Sequence, residues 1–232
     1  MSTEDVIRRS TPGDYFRRRV PVVSSVPLPP PLSSHRSFTA TINGRESAGT
    51  FSPPTISELS SFLHYVAGIR RMDSTDANRQ KRFVASMGAL HPAHILVYLP
   101  DEGWRAYLPE EHALGSLQVN AESSAQLLDL VDQHLPGHRA AILCLLSDRD
   151  LASNYYDNYV PLLLRDAGVL LGHASLVAAA HELAFRILGR TGTIAAESLI
   201  PLLPFRPFAT GLALLGAGCF SGDAVRDDRA GA

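Results

Sequence analysis

The segment Ala85-Ser-Met-Gly-Ala-Leu-His-Pro92 leads directly into the apolar stretch His94–Leu99. Its small residues leave the backbone exposed, so a flat ring can approach closely and backbone N–H groups can hydrogen-bond its edge. The apolar stretch has the length and content of a buried strand, and a Pro-Asp-Glu-Gly turn then leads to a second strand at Trp104–Leu108. The pattern predicts a small-residue loop before a β-hairpin. Taken alone, the loop also fits an ordinary connection.

Helices and further strands are predicted on both sides of this hairpin. Thr55 and Glu58 form a capping-box pair, and apolar residues then recur at helical spacing until Gly68 ends the helix. The other predicted elements are helices at Ala121–His134 and Pro161–Leu188, strands at Ala140–Leu146 and Thr210–Gly216, and a polar surface loop at residues 71–82. Because strands and helices mix without regular alternation, we expect an α+β fold with a sheet flanked by helices.

The composition is that of a folded protein with no strong charge bias. The 232 residues are 45% hydrophobic and 19% charged, enough for one good-sized domain. A net charge of −2 gives no electrostatic footprint for nucleic acid or an anionic membrane. Charges interrupt the longest apolar run, Pro161–Leu188, which argues against a membrane span, and the N-terminus lacks the apolar core of a signal peptide. We expect a cytoplasmic protein.

Residues 1–36 differ from the remainder of the chain. Basic residues, among them Arg9 and Arg17–Arg19, precede the run Val-Pro-Leu-Pro-Pro-Pro-Leu, which favours an extended, polyproline-like backbone. We interpret this segment as an arm that lies across a neighbouring subunit, with a docking ligand for another domain as the alternative. Residues 37–218 are predicted to form one domain, and residues 219–232 a flexible C-terminal tail.

Cysteine and histidine spacing predicts no metal site. Cys144 and Cys219 are too far apart for a zinc site or a disulfide framework, and Cys144 lies in an apolar run typical of a small buried residue. His91 and His94 are three residues apart, but no carboxylate or further histidine follows at ligand spacing.

The segment Gly44–Phe51, just before the capped helix, carries a candidate anion site. Arg45 and Ser47 are two residues apart, so in an extended segment their side chains face the same side. A guanidinium and a hydroxyl together suit a phosphate monoester. Alone, the pair also fits an exposed arginine beside a turn serine.

The order of these motifs resembles the nitroreductase superfamily, and most closely its SagB-type branch, the azoline dehydrogenases that oxidise ring-modified peptides. The likeness spans roughly residues 26–216. The matching segments are Arg45-x-Ser47, the helix Ile56–Ile69, the loop Ser86–Pro92, the hairpin Gly103–Leu114 and Asp166-Ala-Gly168 at the start of a long helix.

The resemblance implies a nitroreductase-like FMN fold with a central antiparallel-type sheet flanked by helices. It also implies a domain-swapped homodimer with two FMN sites at the subunit interface. Arg45 and Ser47 would hold the FMN phosphate end, and Tyr155 would be the catalytic acid or base. The residues implied to line the isoalloxazine ring, partly from the partner chain, are Ser86, Gly88, Ala89 and Leu90. The substrate would be a small molecule or modified peptide, and biosynthetic enzymes could be partners.

Departures from the family pattern keep three functions open. The family's basic phosphate motif here contains Glu46 and Gly49, and its Lys–Tyr pair aligns with Asn154 and Tyr155. An asparagine cannot exchange a proton as an amine can. The candidates are an FMN-dependent dehydrogenase of peptide-derived or natural-product substrates, an NAD(P)H-dependent nitroreductase-like reductase, and a scaffold subunit that keeps the fold without the flavin chemistry.

Overall fold

A central β-sheet organises the computed structural model, which describes residues 6–10, 13, 15–72 and 76–218. The predicted tail, residues 219–232, lies outside the described residues. The strands are β1 (Ile7–Arg8), β2 (Ser25–Pro27), β3 (Ile69–Met72), β4 (Gln80–Arg82), β5 (Ala93–Leu99), β6 (Gly103–Leu108), β7 (Ala113–Ser116), β8 (Ala141–Asp148), β9 (Tyr156–Asp157), β10 (Leu183–Leu188) and β11 (Pro207–Ala217). The helices are α1 (Phe38–Gly44), α2 (Ile56–Ala67), α3 (Ala121–Asp132), α4 (Arg149–Tyr155), α5 (Val160–Ala180) and α6 (Thr193–Glu197).

The sheet has seven strands in the order β10-β11-β8-β5-β6-β7-β2, and every neighbouring pair is antiparallel. Strand β8 is buried along its whole length, and its side chains alternate between two cores. Leu143 and Leu145 join the core with α2 and α5, whereas Ile142 and Leu146 join the core with α3 and α6. Helices therefore cover both faces. The prediction of an α+β fold with a central antiparallel sheet flanked by helices is confirmed.

The capped helix and the buried cysteine are as predicted. The Thr55 hydroxyl accepts a hydrogen bond from the Glu58 backbone N–H at 3.3 Å, and the Glu58 carboxylate accepts one from the Thr55 N–H at 2.7 Å. The apolar face that follows is buried against the sheet, and Gly68 caps the end of α2. Cys144 is fully buried, and this burial raises the pKa of its thiol to about 12. The thiol therefore stays protonated and packs as an apolar side chain.

The prediction of one continuous helix at Pro161–Leu188 is wrong at its C-terminal end. Helix α5 ends at Ala180, Glu182 adopts a left-handed backbone with φ of 58°, and the following residues form β10. Helical periodicity alone could not reveal the break, because β10 is apolar and fully paired with β11 at the sheet edge.

The predicted surface loop at residues 71–82 also differs in the structure. Strands β3 and β4 form a two-stranded ribbon, and Asn78 and Gln80 are buried. The Asn78 side chain donates to the Tyr15 carbonyl at 2.6 Å and accepts from the Arg17 N–H at 2.6 Å. The Gln80 amide donates instead to the Glu110 carboxylate at 2.9 Å. Both polar side chains are buried because distant parts of the chain satisfy their hydrogen bonds.

The N-terminal segment packs on its own chain, which corrects the interpretation of an arm lying across a neighbour. Strand β1 pairs with β9, and β2 completes the edge of the central sheet beside β7. Beyond the proline run, the Arg36 guanidinium donates to the Ala179 carbonyl at the end of α5 at 2.9 Å. The described part of residues 1–36 is therefore an integral layer of the fold.

Helix α5 is long and apolar enough, by length and composition, to cross a bilayer. In the structure it packs against α2, β10 and β11. Residues along its length, including Leu163, Leu170 and Val177, are buried. The helix therefore acts as a core element of this fold, and its two ends position the two candidate sites described next.

Candidate functional site

The Ser86–Leu90 loop has a strained backbone. Met87–Ala89 form a single 3₁₀ turn, and φ is 52° at Gly88, 60° at Ala89 and 46° at His91. The left-handed conformation costs a residue with a Cβ roughly 1–2 kcal/mol, and it persists only where surrounding contacts impose it. Two such residues within three positions mark this loop as a candidate functional element.

The contacts that impose this shape come from Asp166, near the start of α5. Its carboxylate accepts hydrogen bonds from the Ser86 hydroxyl and, at 3.0 Å, from the Met87 N–H. The Ser86 hydroxyl also accepts from the His91 N–H at 2.9 Å. Burial raises the pKa of the Asp166 carboxyl, while the bonds from Ser86 and Met87 lower it. The Asp-Ala-Gly motif, which entered the sequence analysis only as a matching segment, thus supplies a positioning residue.

An open cleft of ≈ 420 Å³ lies along this loop. Three basic side chains line it, from Arg79, Lys81 and Arg82. The Arg79 guanidinium donates to the Gly88 carbonyl at 2.8 Å and is paired with Asp76 at 3.0 Å. The cleft therefore combines small loop residues with a positive wall. Sequence reasoning missed that wall because the polar run was interpreted as a loop.

Tyr156 borders the same loop. A Cβ built on Gly88 would lie 2.7 Å from the Tyr156 hydroxyl, so the glycine allows the close approach of this phenol. The Tyr156 side chain keeps part of its surface exposed.

Tyr155, the predicted catalytic residue, lies in a buried hydrogen-bond network. Its hydroxyl donates to the Asp76 carboxylate at 2.8 Å and accepts from the Asn78 amide at 3.1 Å, and the residue is 4% exposed. Burial, followed by the bond to Asp76, raises the pKa of its phenol. The neighbouring Asn154 has a buried amide nitrogen without a hydrogen-bond partner among the described residues. The structure thus gives the Tyr155 hydroxyl two protein partners and little contact with solvent.

The predicted phosphate residues lie elsewhere. Arg45 follows α1 in an extended conformation, and Arg45, Glu46 and Ser47 are all exposed. Within the described part of the chain, neither the Arg45 nor the Ser47 side chain has a hydrogen-bond or ion-pair partner. The segment is anchored by the Ala48 N–H, which donates to the Phe185 carbonyl at 3.0 Å. Both side chains are therefore free to meet a ligand.

Opposite ends of α5 carry the two groups of predicted residues. The Ser86–Leu90 loop is held by Asp166, whereas the Arg45 segment packs beside Ala179. At about 1.5 Å per residue, Asp166 and Ala179 are about 20 Å apart along the helix axis. One chain therefore does not bring the phosphate residues and the ring-lining residues together.

Among the residues that the structure describes, no group of three or more histidine, cysteine, aspartate or glutamate side chains could hold a metal ion. The chemistry of the two regions is instead that of cations, hydroxyls and backbone amides.

Comparison with known proteins identifies the fold. No protein-family model matches the chain, and neither does any functionally curated protein. Among solved structures, a candidate nitroreductase from Ralstonia eutropha JMP134 is similar over 91% of this chain and 98% of its own, at 18% identity and a TM-score of 0.65. The chain therefore has a nitroreductase-like fold.

Two further structures share this fold. The Escherichia coli microcin synthetase complex McbBCD, solved with truncated pro-MccB17 bound, matches with 19% identity and a TM-score of 0.59, covering 88% of this chain and 84% of the matched one. A candidate nitroreductase from Desulfovibrio desulfuricans, solved in complex with FMN, matches with 18% identity and a TM-score of 0.51, covering 83% and 92%.

Proposed function

We propose that this chain is an FMN-dependent oxidoreductase that acts as a homodimer on a peptide-derived or natural-product substrate. The observation that carries the proposal is the basic cleft on the strained Ser86–Leu90 loop, in a nitroreductase-like fold. When bound, FMN supplies reversible two-electron chemistry in the form of hydride transfer. The residues of the chain bind the cofactor, orient the substrate and supply protons.

The donor set at the loop fits an isoalloxazine ring. Gly88 and Ala89 present little side chain, so a flat ring can lie against their backbone. Reduction places negative charge on the pyrimidine side of a flavin, and Arg79, Lys81 and Arg82 form a wall of opposite charge. Asp166 keeps the loop in one shape, which reduces the ordering cost of binding.

The Arg45 segment fits the phosphate monoester of FMN less well than the Ser86–Leu90 loop fits its ring. Arg45 and Ser47 are exposed and without partners in the described residues, so their donors are available. Glu46 is exposed between them and repels an anion. We expect measurable but moderate FMN affinity.

A second copy of the chain would complete the site. The exposed face of α5 carries Leu164, Gly168, Val169 and Gly172, and a Cβ built on either glycine meets none of the described residues within 4 Å. Small residues let two helices approach closely. Two α5 helices crossing antiparallel would bring the Arg45 end of one subunit towards the Ser86–Leu90 end of the other.

For proton transfer, we propose that Tyr156 is the better placed phenol. Its hydroxyl lies against Gly88 in the loop, whereas the Tyr155 hydroxyl is committed to Asp76 and Asn78. Tyr156→Phe should lower kcat with unchanged FMN affinity, and Tyr155→Phe should mainly lower stability. The reverse pattern would restore the catalytic role predicted for Tyr155.

The direct test is FMN binding by the purified full-length protein. We expect a yellow protein that releases FMN on heating, and a colourless protein that takes up no FMN would contradict the proposal. Analytical ultracentrifugation should find a dimer. Rapid anaerobic bleaching of the bound flavin by NADH or NADPH would favour the reductase over the dehydrogenase.

A scaffold subunit is the second candidate. The observations that favour it are the buried, unpartnered Asn154 amide at the family's lysine position and Glu46 within the phosphate segment. Failure to bind FMN combined with a stable dimer would support it.

A further inference from the structure

A small cavity of ≈ 30 Å³ beneath the N-terminal segment is lined by more positive than negative side chains. We call it the arginine pocket. Its charged and ionisable lining residues are Arg17, Arg18, Arg19, Arg82, His94, Tyr107 and Glu110. The Ser86–Leu90 loop is adjacent, because Arg82 lines both this pocket and the open cleft.

Arg17 enters the pocket without a negative partner. Its terminal nitrogens donate only to neutral carbonyls, those of His91 at 3.0 Å and Asn78 at 3.1 Å. Its Nε is buried and has no hydrogen-bond partner in the described residues. Burial lowers the pKa of this guanidinium, while Glu110 and Asp148 raise it. A buried cation with an unused donor is costly unless an anion joins it.

Arg82 is also a cation without a negative partner among the described residues. Its Nε and one terminal nitrogen both donate to the Gln80 side-chain oxygen, at 3.0 and 2.5 Å. No carboxylate of the described residues lies within ion-pair distance of Arg82 or Arg17. Burial, together with the charge of Arg17, lowers the pKa of the Arg82 guanidinium to about 9, so it remains charged at neutral pH.

The other residues of the pocket do not neutralise this pair. Glu110 is the only carboxylate among the lining residues, and it accepts its hydrogen bond from the Gln80 amide at 2.9 Å. Arg19 is already paired with Glu111 at 2.8 Å. Burial and the nearby arginines lower the pKa of His94 to about 3, so this histidine stays neutral. The guanidiniums of Arg17 and Arg82 against the Glu110 carboxylate leave one net positive charge, and the exposed Arg18 adds a further cation to the lining.

We propose that the arginine pocket binds a single carboxylate group between Arg17 and Arg82. A planar guanidinium matches a carboxylate with two parallel hydrogen bonds, and one negative charge balances the charge that Glu110 leaves on Arg17 and Arg82. The substrate is the expected source of this group, for example an acidic side chain or a peptide C-terminus beside the open cleft. That assignment to the substrate rests on the proposed function, whereas carboxylate binding itself does not.

The test is calorimetric titration of the full-length protein with N-acetylglycine, N-acetylglycinamide and inorganic phosphate, at an ionic strength fixed with chloride. We expect saturable binding of the acid, no binding of the amide, and at least tenfold weaker binding of phosphate. Equal behaviour of acid and amide would overturn the proposal. Tighter binding of phosphate would overturn the carboxylate assignment.

Variants locate the site. R17Q and R82Q should each weaken N-acetylglycine binding at least tenfold, while R206Q, which removes an exposed arginine paired with Asp150 outside the pocket, should not change it. E110Q keeps the acceptor for Gln80 but removes the competing charge, so it should tighten binding. Misfolding can only weaken binding, so tighter binding by E110Q tests the proposal even if an arginine variant fails to fold. Wild-type affinity in both arginine variants, or weaker binding in E110Q, would refute it.

FMN content measured on the same samples separates the two proposals. Carboxylate binding by a protein that takes up no FMN would contradict the oxidoreductase proposal alone. FMN uptake without carboxylate binding would contradict the arginine pocket alone.

Discussion

The two ends of α5 differ in how their functional segments are held. At the N-terminal end, Asp166 hydrogen-bonds the Ser86–Leu90 loop, and Arg79 bonds its Gly88 carbonyl. At the C-terminal end, Arg45 and Ser47 extend into solvent with no side-chain partner among the described residues. We call the N-terminal end of α5 the organised end, because hydrogen bonds within the chain hold its loop. We call the C-terminal end the open end, because its donors have no partner among the described residues.

This difference predicts that substitutions at the two ends have different effects on stability and on ligand binding. Substitutions at the organised end should change stability and ligand binding together, because the same hydrogen bonds serve both. Substitutions at the open end should change ligand binding alone. The predictions below test that separation.

The largest expected effect is that of Asp166→Ala. It leaves the Ser86 hydroxyl and the Met87 N–H without their acceptor in a half-buried site. We expect a loss of about 3 kcal/mol in the free energy of unfolding and weaker FMN binding. Urea unfolding and flavin titration measure the two effects. Asp157→Ala, which breaks an exposed pair with Arg9, should cost under about 1 kcal/mol. Equal losses in the two variants would remove the special role of Asp166.

At the open end, Arg45→Ala should weaken FMN binding by about 1–3 kcal/mol, the usual contribution of a hydrogen bond to a charged group. Stability without FMN should stay unchanged, because Arg45 has no partner to lose. Glu46→Gln is the matched variant of opposite sign and should tighten binding. An Arg45→Ala protein with wild-type FMN affinity would place the phosphate elsewhere.

Local patterns predicted most of the fold. The capping box at Thr55 and the continuous apolar run through β8 are short-range signals, and both elements appear as expected. The strand β10 was hidden because an apolar strand continues the composition of α5. The ribbon β3–β4 was hidden because the buried polar residues at its turn and in β4 are satisfied by distant partners, Asn78 by the N-terminal segment and Gln80 by Glu110. Long-range partners of this kind have no local signature.

The candidate site was predicted unevenly for the same reason. The small residues of the Ser86–Leu90 loop are visible in the sequence, but the positive wall needs the fold to bring Arg79 and Arg82 beside them. Tyr155 and Tyr156 are adjacent in sequence, and only their hydrogen-bond partners distinguish a buried phenol from one at the loop.

Acid sensitivity should belong to the organised end. Burial, followed by the charges of Arg82 and Arg17, lowers the pKa of His91 to about 3. The unfolded chain takes up this proton below its ordinary value of 6.5, and the folded chain does not until about pH 3. The contribution of neutral His91 to the free energy of unfolding is therefore fully present above pH 6.5 and is lost as the pH falls towards 3.

His91→Asn tests this assignment, because asparagine tolerates the left-handed backbone at that position. Between pH 7 and pH 5 we expect the variant to lose about 2 kcal/mol less unfolding free energy than the wild type. Urea unfolding at the two pH values measures the difference. His134→Asn, at an exposed position, should behave like the wild type. An identical acid loss in the His91 variant would show that other groups carry it.

The smallest expected effect separates backbone strain from crowding within the loop. Gly88 and Gly103 both have positive φ, but a Cβ at Gly88 would lie 2.7 Å from the Tyr156 hydroxyl, whereas one at Gly103 meets nothing within 4 Å. Gly103→Ala should therefore cost about 1 kcal/mol from strain alone, and Gly88→Ala about 1 kcal/mol more. Adding Tyr156→Phe to Gly88→Ala should recover part of that excess in urea unfolding. Full additivity of the two changes would mean that Tyr156 does not contact the loop, and its assignment as the proton donor would fail with it.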